Sequence, residues 1–125
     1  MSYESKYFSR AEMACKCGCG TYNVSDVLLE RLDVLRDAMQ RPLIVESGCR
    51  CIEHNRAERG KENSAHITMI GRPCRAVDIL AATGREKFYT LMEALKLGFE
   101  RIGIGRTFVH LDVADELPRP NVWTY

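Results

Sequence analysis

Two strand-like segments with ionisable residues in their middle most constrain what this chain can fold into. AVDIL, residues 76–80, sets Asp78 among apolar residues. FVHLDV, residues 108–113, places His110 and Asp112 in a similar setting. Burying a carboxylate is costly unless a cation or a metal ion pairs with it. If both segments are strands of one sheet, these side chains can meet and form such a site.

The rest of the pattern predicts helices and short strands around those two segments. Ser9 begins a capping box for a short helix over 9–14. Ser25 and Thr83 precede longer segments, VLLERLDVLRDAMQ and REKFYTLMEALKL, in which apolar residues recur at helical spacing. CIEHNRAER, residues 51–59, suits a further short helix that ends before Gly60.

Strands are predicted at 43–47, 76–80, 99–104 and 107–113. Gly103 and Gly105 indicate a tight turn between the last two strands, and the tail LPRPNVWTY is expected to run along the surface. Helices first, then strands interleaved with helices, predict an α+β fold with a small, mainly antiparallel sheet flanked by helices.

Length and composition restrict the function classes. The 125 residues suit a single domain, 1–125, with a hydrophobic content of 46% that is enough for a core. A net charge of +1 without a basic block argues against nucleic-acid binding. No apolar run approaches the ~20 residues of a membrane span. The N-terminus also lacks an apolar signal segment, so we expect cytoplasmic synthesis unless another route exports the chain.

Six cysteines leave three interpretations open. They occur in CKCGCG (Cys15, Cys17 and Cys19), in GCRC (Cys49 and Cys51) and singly at Cys74. Packed or partly exposed thiols, disulfides and a thiolate metal site all remain possible from the sequence. The C-x-C spacing differs from the C-x-x-C spacing of zinc ribbons and knuckles.

A more specific site is predicted from one loop and the two unusual strands. His66 lies in a polar loop, and side chains alternate between faces along a strand, so His110 and Asp112 point the same way. Together with Asp78, the two histidines can supply three ligands to a tetrahedral zinc ion, with the fourth position left for water. That arrangement is typical of catalytic rather than structural zinc.

The series SGCR, HN, SAH, GRPCRAVDI and FVHLDV resembles the zinc D-alanyl-D-alanine carboxypeptidase and endolysin family, whose fold is shared with the hedgehog signalling domain. The start FSRAEMACKCGCG is similar to a branch of that family with a cysteine-rich loop. The resemblance implies zinc ligands His66, Asp78 and His110. It also implies that Arg50 anchors a substrate carboxylate or polarises the scissile carbonyl, and that Ser64 forms a hydrogen bond beside the ligands.

By the same resemblance, the expected activity is zinc-dependent hydrolysis of peptidoglycan stem peptides that contain D-amino acids, as a carboxypeptidase or an endopeptidase. The chain departs from the family in two respects. Eleven residues lie between His66 and Asp78, more than in the family motif, so an insertion around MIGRPC is expected to loop out. Thr107 and Phe108 stand where the family commonly has its general base, and neither takes a proton from water.

The proton carrier therefore stays unassigned. Asp112 is the first candidate for a catalytic group, with orientation of His110 as its alternative role, and Glu46 and His54 are further candidates. The alternative function is a non-catalytic relative that keeps zinc and a peptide groove but has lost its base. A third hypothesis is a metal or redox module centred on the cysteines. By analogy with its fold, such a chain suits a monomeric phage or prophage protein that acts at the bacterial cell wall.

Overall fold

The structure is a computed structural model that describes residues 3–125. It contains four helices and five strands within that range. The helices are α1 (Arg10–Met13), α2 (Asp26–Met39), α3 (Ile52–Ala57) and α4 (Gly84–Lys96). The strands are β1 (Val45–Ser47), β2 (Ala76–Leu80), β3 (Arg101–Ile104), β4 (Phe108–Asp112) and β5 (Asn121–Thr124). The α+β class predicted from the sequence is confirmed.

The five strands form one sheet in the order β1-β2-β4-β3-β5. Three neighbouring pairs are antiparallel, and β5 runs parallel to β3 at one edge. Asp78 on β2 is the direct cross-strand partner of His110 on β4. Directly opposed residues in an antiparallel pair have Cβ atoms about 5 Å apart, so the register itself brings these two side chains together.

The hydrophobic core lies on one face of the sheet. Val77 and Ile79 of β2 pack with Val109 and Leu111 of β4 in the cluster that includes the buried leucines of α2. Because side chains alternate along a strand, Asp78, His110 and Asp112 point to the opposite face. One face of the central strands therefore stabilises the fold, and the other face carries the ionisable residues.

The helices begin at the expected caps. Ser9 and Glu12 form the predicted capping box of α1. Ser25 accepts a hydrogen bond from the backbone of Leu28, and Thr83 accepts one from Glu86. Each cap satisfies a backbone N–H group that the helix leaves unpaired at its first turn. No helix within residues 3–125 has the length and apolar character needed to cross a membrane.

The end of the chain agrees with the sequence-based expectations in part. Most of the tail is exposed, as expected, but residues 121–124 also form β5 and pair with β3, which was not predicted. Gly105 lies in the predicted turn, which spans 105–107, whereas Gly103 lies within β3. A Cβ atom at Gly103 would come within 2.7 Å of the Trp123 indole nitrogen, so this glycine allows the indole of β5 to pack over β3.

Candidate metal centre

Three buried side chains converge on the face of the sheet opposite the core. The Nε2 atom of His66 lies 3.2 Å from Oδ1 of Asp78 and 3.3 Å from Nδ1 of His110. The same Asp78 oxygen lies 2.9 Å from Nδ1 of His110. Three ligand-type atoms from a loop, β2 and β4 thus form a compact triangle that a single metal ion can contact.

The outer nitrogen of each ring has its own hydrogen-bond partner. Nδ1 of His66 donates to the carbonyl oxygen of Gly48 at 2.7 Å, because a carbonyl can only accept. Nε2 of His110 donates to Oδ2 of Asp112 at 2.7 Å. With a metal ion bound, these bonds would fix the tautomers so that the inner nitrogen of each ring presents its lone pair to the ion. In the absence of metal, a proton on an inner nitrogen lets that ring donate to Oδ1 of Asp78. In metal sites, hydrogen bonds of this kind orient the binding histidines and raise the basicity of their ligand nitrogens.

Burial and the neighbouring charges act in opposite directions on these groups. Burial lowers the pKa of His66 and disfavours its charged form. Burial alone would raise the pKa of Asp78, but hydrogen bonds with His110 and His66 outweigh it and hold that pKa well below its usual range. For His110, the bonds to Asp112 and Asp78 outweigh burial and raise the pKa. The carboxylate is therefore ionised, and a metal ion competes with a proton for the site.

Arg50 reaches the same place from the segment between β1 and α3. Its Nε atom donates to the hydroxyl of Ser47 at 3.0 Å, and one terminal nitrogen lies 3.5 Å from Oδ1 of Asn55. The other terminal nitrogen lies 3.4 Å from Oδ2 of Asp78. The guanidinium is thus held beside the ligand carboxylate with about 15% of the side chain exposed, enough to meet a bound molecule.

Ser64 supports the backbone of the ligand loop. Its hydroxyl accepts a hydrogen bond from the backbone N–H of His66 at 3.2 Å, and the His66 ring is bonded to Gly48 instead. The extra residues after His66 form the expected excursion, in which Met69 and Arg72 exchange both backbone hydrogen bonds around a turn. The insertion therefore lengthens a surface turn and leaves His66 and Asp78 in contact.

Asp112 is enclosed rather than open to solvent. Its Oδ1 accepts from Nε of Arg101 at 2.8 Å and from the backbone N–H of Ala114 at 3.1 Å, while Oδ2 accepts from His110. The side chain is only 1% exposed. This geometry makes Asp112 an anchor for the His110 ring and leaves its oxygens with little access to water.

The other candidates for the proton carrier lie in different surroundings. Glu46 is the exposed residue between the two buried ends of β1. His54 contacts the sulfur of Cys15 and the carboxylate of Glu58. Thr107 immediately precedes β4, and Phe108, the first residue of that strand, packs against Tyr125. Neither Glu46 nor His54 has a hydrogen bond to the three converging side chains among the described residues.

Sequence reasoning missed an aromatic wall beside the site. The indole of Trp123 lies 5.3 Å from the His110 ring, and the guanidinium of Arg101 lies 4.9 Å above the same indole, measured between centres. Tyr125 packs against both Trp123 and Phe108. The signal in the sequence was the WTY at residues 123–125, but its position depends on β5 pairing with β3, which local pattern does not predict.

Two imidazole nitrogens and one carboxylate oxygen form a common ligand set of divalent metals, zinc above all. A family model described as Peptidase M15 matches residues 6–112 of the chain. A search among curated proteins found no match. The matched range includes all three converging residues together with Arg50 and Asp112.

Proposed function

The chain belongs to the peptidase M15 family, and from that premise we propose that it is a zinc-dependent peptidase of peptidoglycan. Its substrates are stem peptides that contain D-amino acids, cleaved as by a carboxypeptidase or an endopeptidase. The observation that carries the proposal is the triangle of ligand atoms from His66, Asp78 and His110, with contacts of 2.9–3.3 Å.

The donor set supports zinc as the metal. Structural zinc sites are closed by four protein ligands, whereas catalytic sites keep three and an open position. His66, Asp78 and His110 are the three residues that would hold the ion. When bound, zinc supplies a Lewis acid that activates water and polarises a peptide carbonyl.

Arg50 is the residue that would contact substrate beside the metal. Its guanidinium has a planar fork of donors suited to a carboxylate, and Ser47 and Asn55 hold that fork in place. In a carboxypeptidase reaction it would bind the terminal carboxylate, and in an endopeptidase reaction it would donate to the scissile carbonyl. The aromatic wall of Phe108, Trp123 and Tyr125 offers an apolar surface beside His110 for the rest of the peptide.

Asp112 contributes by holding His110. It accepts a hydrogen bond from Nε2 of that ring and forms an ion pair with Arg101. These contacts prevent the His110 ring from rotating and keep its Nδ1 atom directed at Asp78. We therefore place Asp112 as a positioning residue.

The test combines metal content with mass spectrometry of muropeptides. Zinc-loaded wild type is expected to release D-alanine or to cut a cross-bridge, while Asp78→Ala loses both zinc from this site and cleavage. Asp115→Ala removes an exposed aspartate and is the matched control, expected to behave as wild type. Intact muropeptides after incubation with zinc-loaded wild type would contradict the catalytic proposal.

A second candidate is a non-catalytic relative that binds zinc and cell-wall peptide. Thr107 and Phe108, which occupy the usual place of the general base, favour it. It predicts zinc and peptide binding by calorimetry without cleavage. Peptide hydrolysis that disappears in His110→Ala would exclude it.

The setting of the activity is part of the same proposal. The chain acts as a monomer at the bacterial cell wall after release from a phage or prophage system, and it engages neither membrane nor nucleic acid. The balanced charge of +1 supports the last point, since nucleic-acid binding domains carry a strongly basic face. Sedimentation of the protein alone and with peptidoglycan sacculi tests both the oligomeric state and the partner.

A further inference from the structure

Four cysteines come together away from the candidate metal centre. The cysteine cluster consists of Cys15, Cys17, Cys19 and Cys51, whose sulfur atoms all lie within 4.8 Å of one another. The Sγ atoms of Cys15 and Cys17 are 3.4 Å apart. The sulfur of Cys51 lies 3.9 Å from that of Cys15 and 3.8 Å from that of Cys17. All six cysteines are free thiols in the part of the chain that the structure describes.

These separations match a metal site better than a disulfide. Four sulfurs at about 2.3 Å from a tetrahedral zinc ion lie roughly 3.8 Å from each other. A disulfide needs one pair at about 2.0 Å and leaves the remaining sulfurs outside the bond. Here three sulfurs have nearly equal separations of 3.4–3.9 Å, as the corners of a tetrahedron do.

The loop backbone allows the sulfurs to converge. Gly18 lies between Cys17 and Cys19, and Gly20 follows Cys19. Their φ values of 90° and 79° are ones that other residues rarely adopt. The backbone N–H of Cys51 donates to the sulfur of Cys15, and that of His54 donates to the sulfur of Cys51. Such N–H groups stabilise sulfur in the thiolate form that binds metal.

His54 lies at the edge of this cluster, and both of its ring nitrogens have a polar partner. Its Nδ1 atom is 3.2 Å from the sulfur of Cys15, and its Nε2 atom is 3.2 Å from Oε1 of Glu58. Cys19 completes the group of four sulfurs. If Cys15 is a thiolate in that group, His54 Nδ1 would donate a hydrogen bond to its sulfur rather than bind the metal.

We propose that the cysteine cluster binds a structural zinc ion, separate from the metal centre of His66, Asp78 and His110. Each thiol loses its proton on binding, and four protein ligands close the site. The metal ties the loop at 15–19 to Cys51, the residue that follows Arg50. The backbone of Arg50 also bonds with that of His66 and Thr68, so the cluster fixes the segment that places Arg50 beside Asp78.

The first experiment uses the full chain with Asp78→Ala, which removes the other metal centre. Purified under reducing conditions, this variant is expected to retain one zinc per chain by elemental mass spectrometry. Zinc-edge X-ray absorption is expected to show four sulfur neighbours at about 2.3 Å. Loss of all zinc from Asp78→Ala, or a sulfur-free first shell, would overturn the proposal. The zinc content of this variant does not depend on peptidase activity. Failure of this proposal can therefore be told apart from failure of the proposed peptidase function.

The second experiment identifies the ligands in the same Asp78→Ala background. Cys17→Ser and Cys19→Ser are expected to weaken zinc binding by more than about 10-fold in competition with a chelator. Cys49→Ala removes a buried cysteine outside the cluster and is expected to leave the affinity unchanged. Retained affinity in Cys19→Ser together with loss in His54→Gln would overturn the four-thiolate set. Cobalt-loaded Asp78→Ala, with all cysteines intact, gives an independent readout through thiolate-to-cobalt charge-transfer absorption.

Discussion

Replacing Asp112 by asparagine tests whether this residue holds His110 or carries a proton. The carboxylate accepts hydrogen bonds from His110 at 2.7 Å, Arg101 at 2.8 Å and the backbone of Ala114 at 3.1 Å. Asparagine has the same shape, but its NH₂ group is a donor and must face another donor at one of these positions. The substitution therefore removes at least one buried, charge-assisted hydrogen bond.

The size of the effect follows from that geometry. A hydrogen bond to a charged group contributes about 1.5–3 kcal/mol, so we expect the free energy of unfolding to fall by that amount. Loss of the partner of a metal-binding histidine typically weakens metal affinity by about 10–100-fold. At about 1.4 kcal/mol per factor of ten, the cost in zinc binding is roughly 1.4–2.8 kcal/mol.

The assay compares wild type, Asp112→Asn and the exposed control Asp115→Asn. Zinc affinity is measured by chelator competition at the centre of His66, Asp78 and His110, which is the zinc that the variant Asp78→Ala lacks. Stability is measured by urea unfolding. An unchanged zinc affinity in Asp112→Asn, combined with a large loss of kcat, would refute the positioning role and assign Asp112 to proton transfer. A weaker zinc affinity with kcat restored by excess zinc is the expected result.

Other predictions concern the fold. Asp33→Asn removes a buried carboxylate that accepts four hydrogen bonds from the N-terminal segment, at an expected cost of about 1.5–3 kcal/mol in urea unfolding. Although burial acts in the opposite direction, those bonds lower the pKa of Asp33. The stability difference between wild type and Asp33→Asn is therefore full above about pH 4 and disappears as the pH falls through the lowered folded-state pKa. An equal stability difference at low pH would contradict this prediction. Gly103→Ala places a Cβ atom against the indole of β5 and is expected to displace it, with a changed near-ultraviolet circular dichroism spectrum and a loss of about 1–3 kcal/mol. Leu32→Ala in the core is expected to cost about 2–5 kcal/mol, whereas Leu95→Ala on the exposed face of α4 is expected to cost far less; equal costs would show that the core is placed wrongly.

Features set by neighbouring residues were predictable from the sequence. Capping residues at Ser9, Ser25 and Thr83 gave the helix starts, and AVDIL gave the bounds of β2 without error. The convergence of Asp78 with His110 followed from strand alternation once both segments were assigned as strands. Local chemistry decides these elements, so local pattern predicts them.

Features set by distant contacts were not predictable in the same way. β5 exists because β3 offers a free edge and because Gly103 leaves space for an indole, neither of which is visible in LPRPNVWTY. The environment of Asp112 likewise depends on Arg101, eleven positions earlier on a neighbouring strand. The cysteine cluster was not predictable either, because it forms only when the loop at 15–19 reaches Cys51 at the start of α3, 36 positions after Cys15.

The position of β5 also gives the protein an internal optical reporter. Trp123 is the only tryptophan in the chain, and its ring lies 5.3 Å from that of His110. Indole fluorescence is quenched by a nearby protonated imidazole and responds to a nearby change in charge. Emission from this one residue is therefore expected to report the protonation of His110 without a label. If the proposed zinc centre and peptide groove are correct, stopped-flow mixing is expected to resolve the order in which metal and peptide bind.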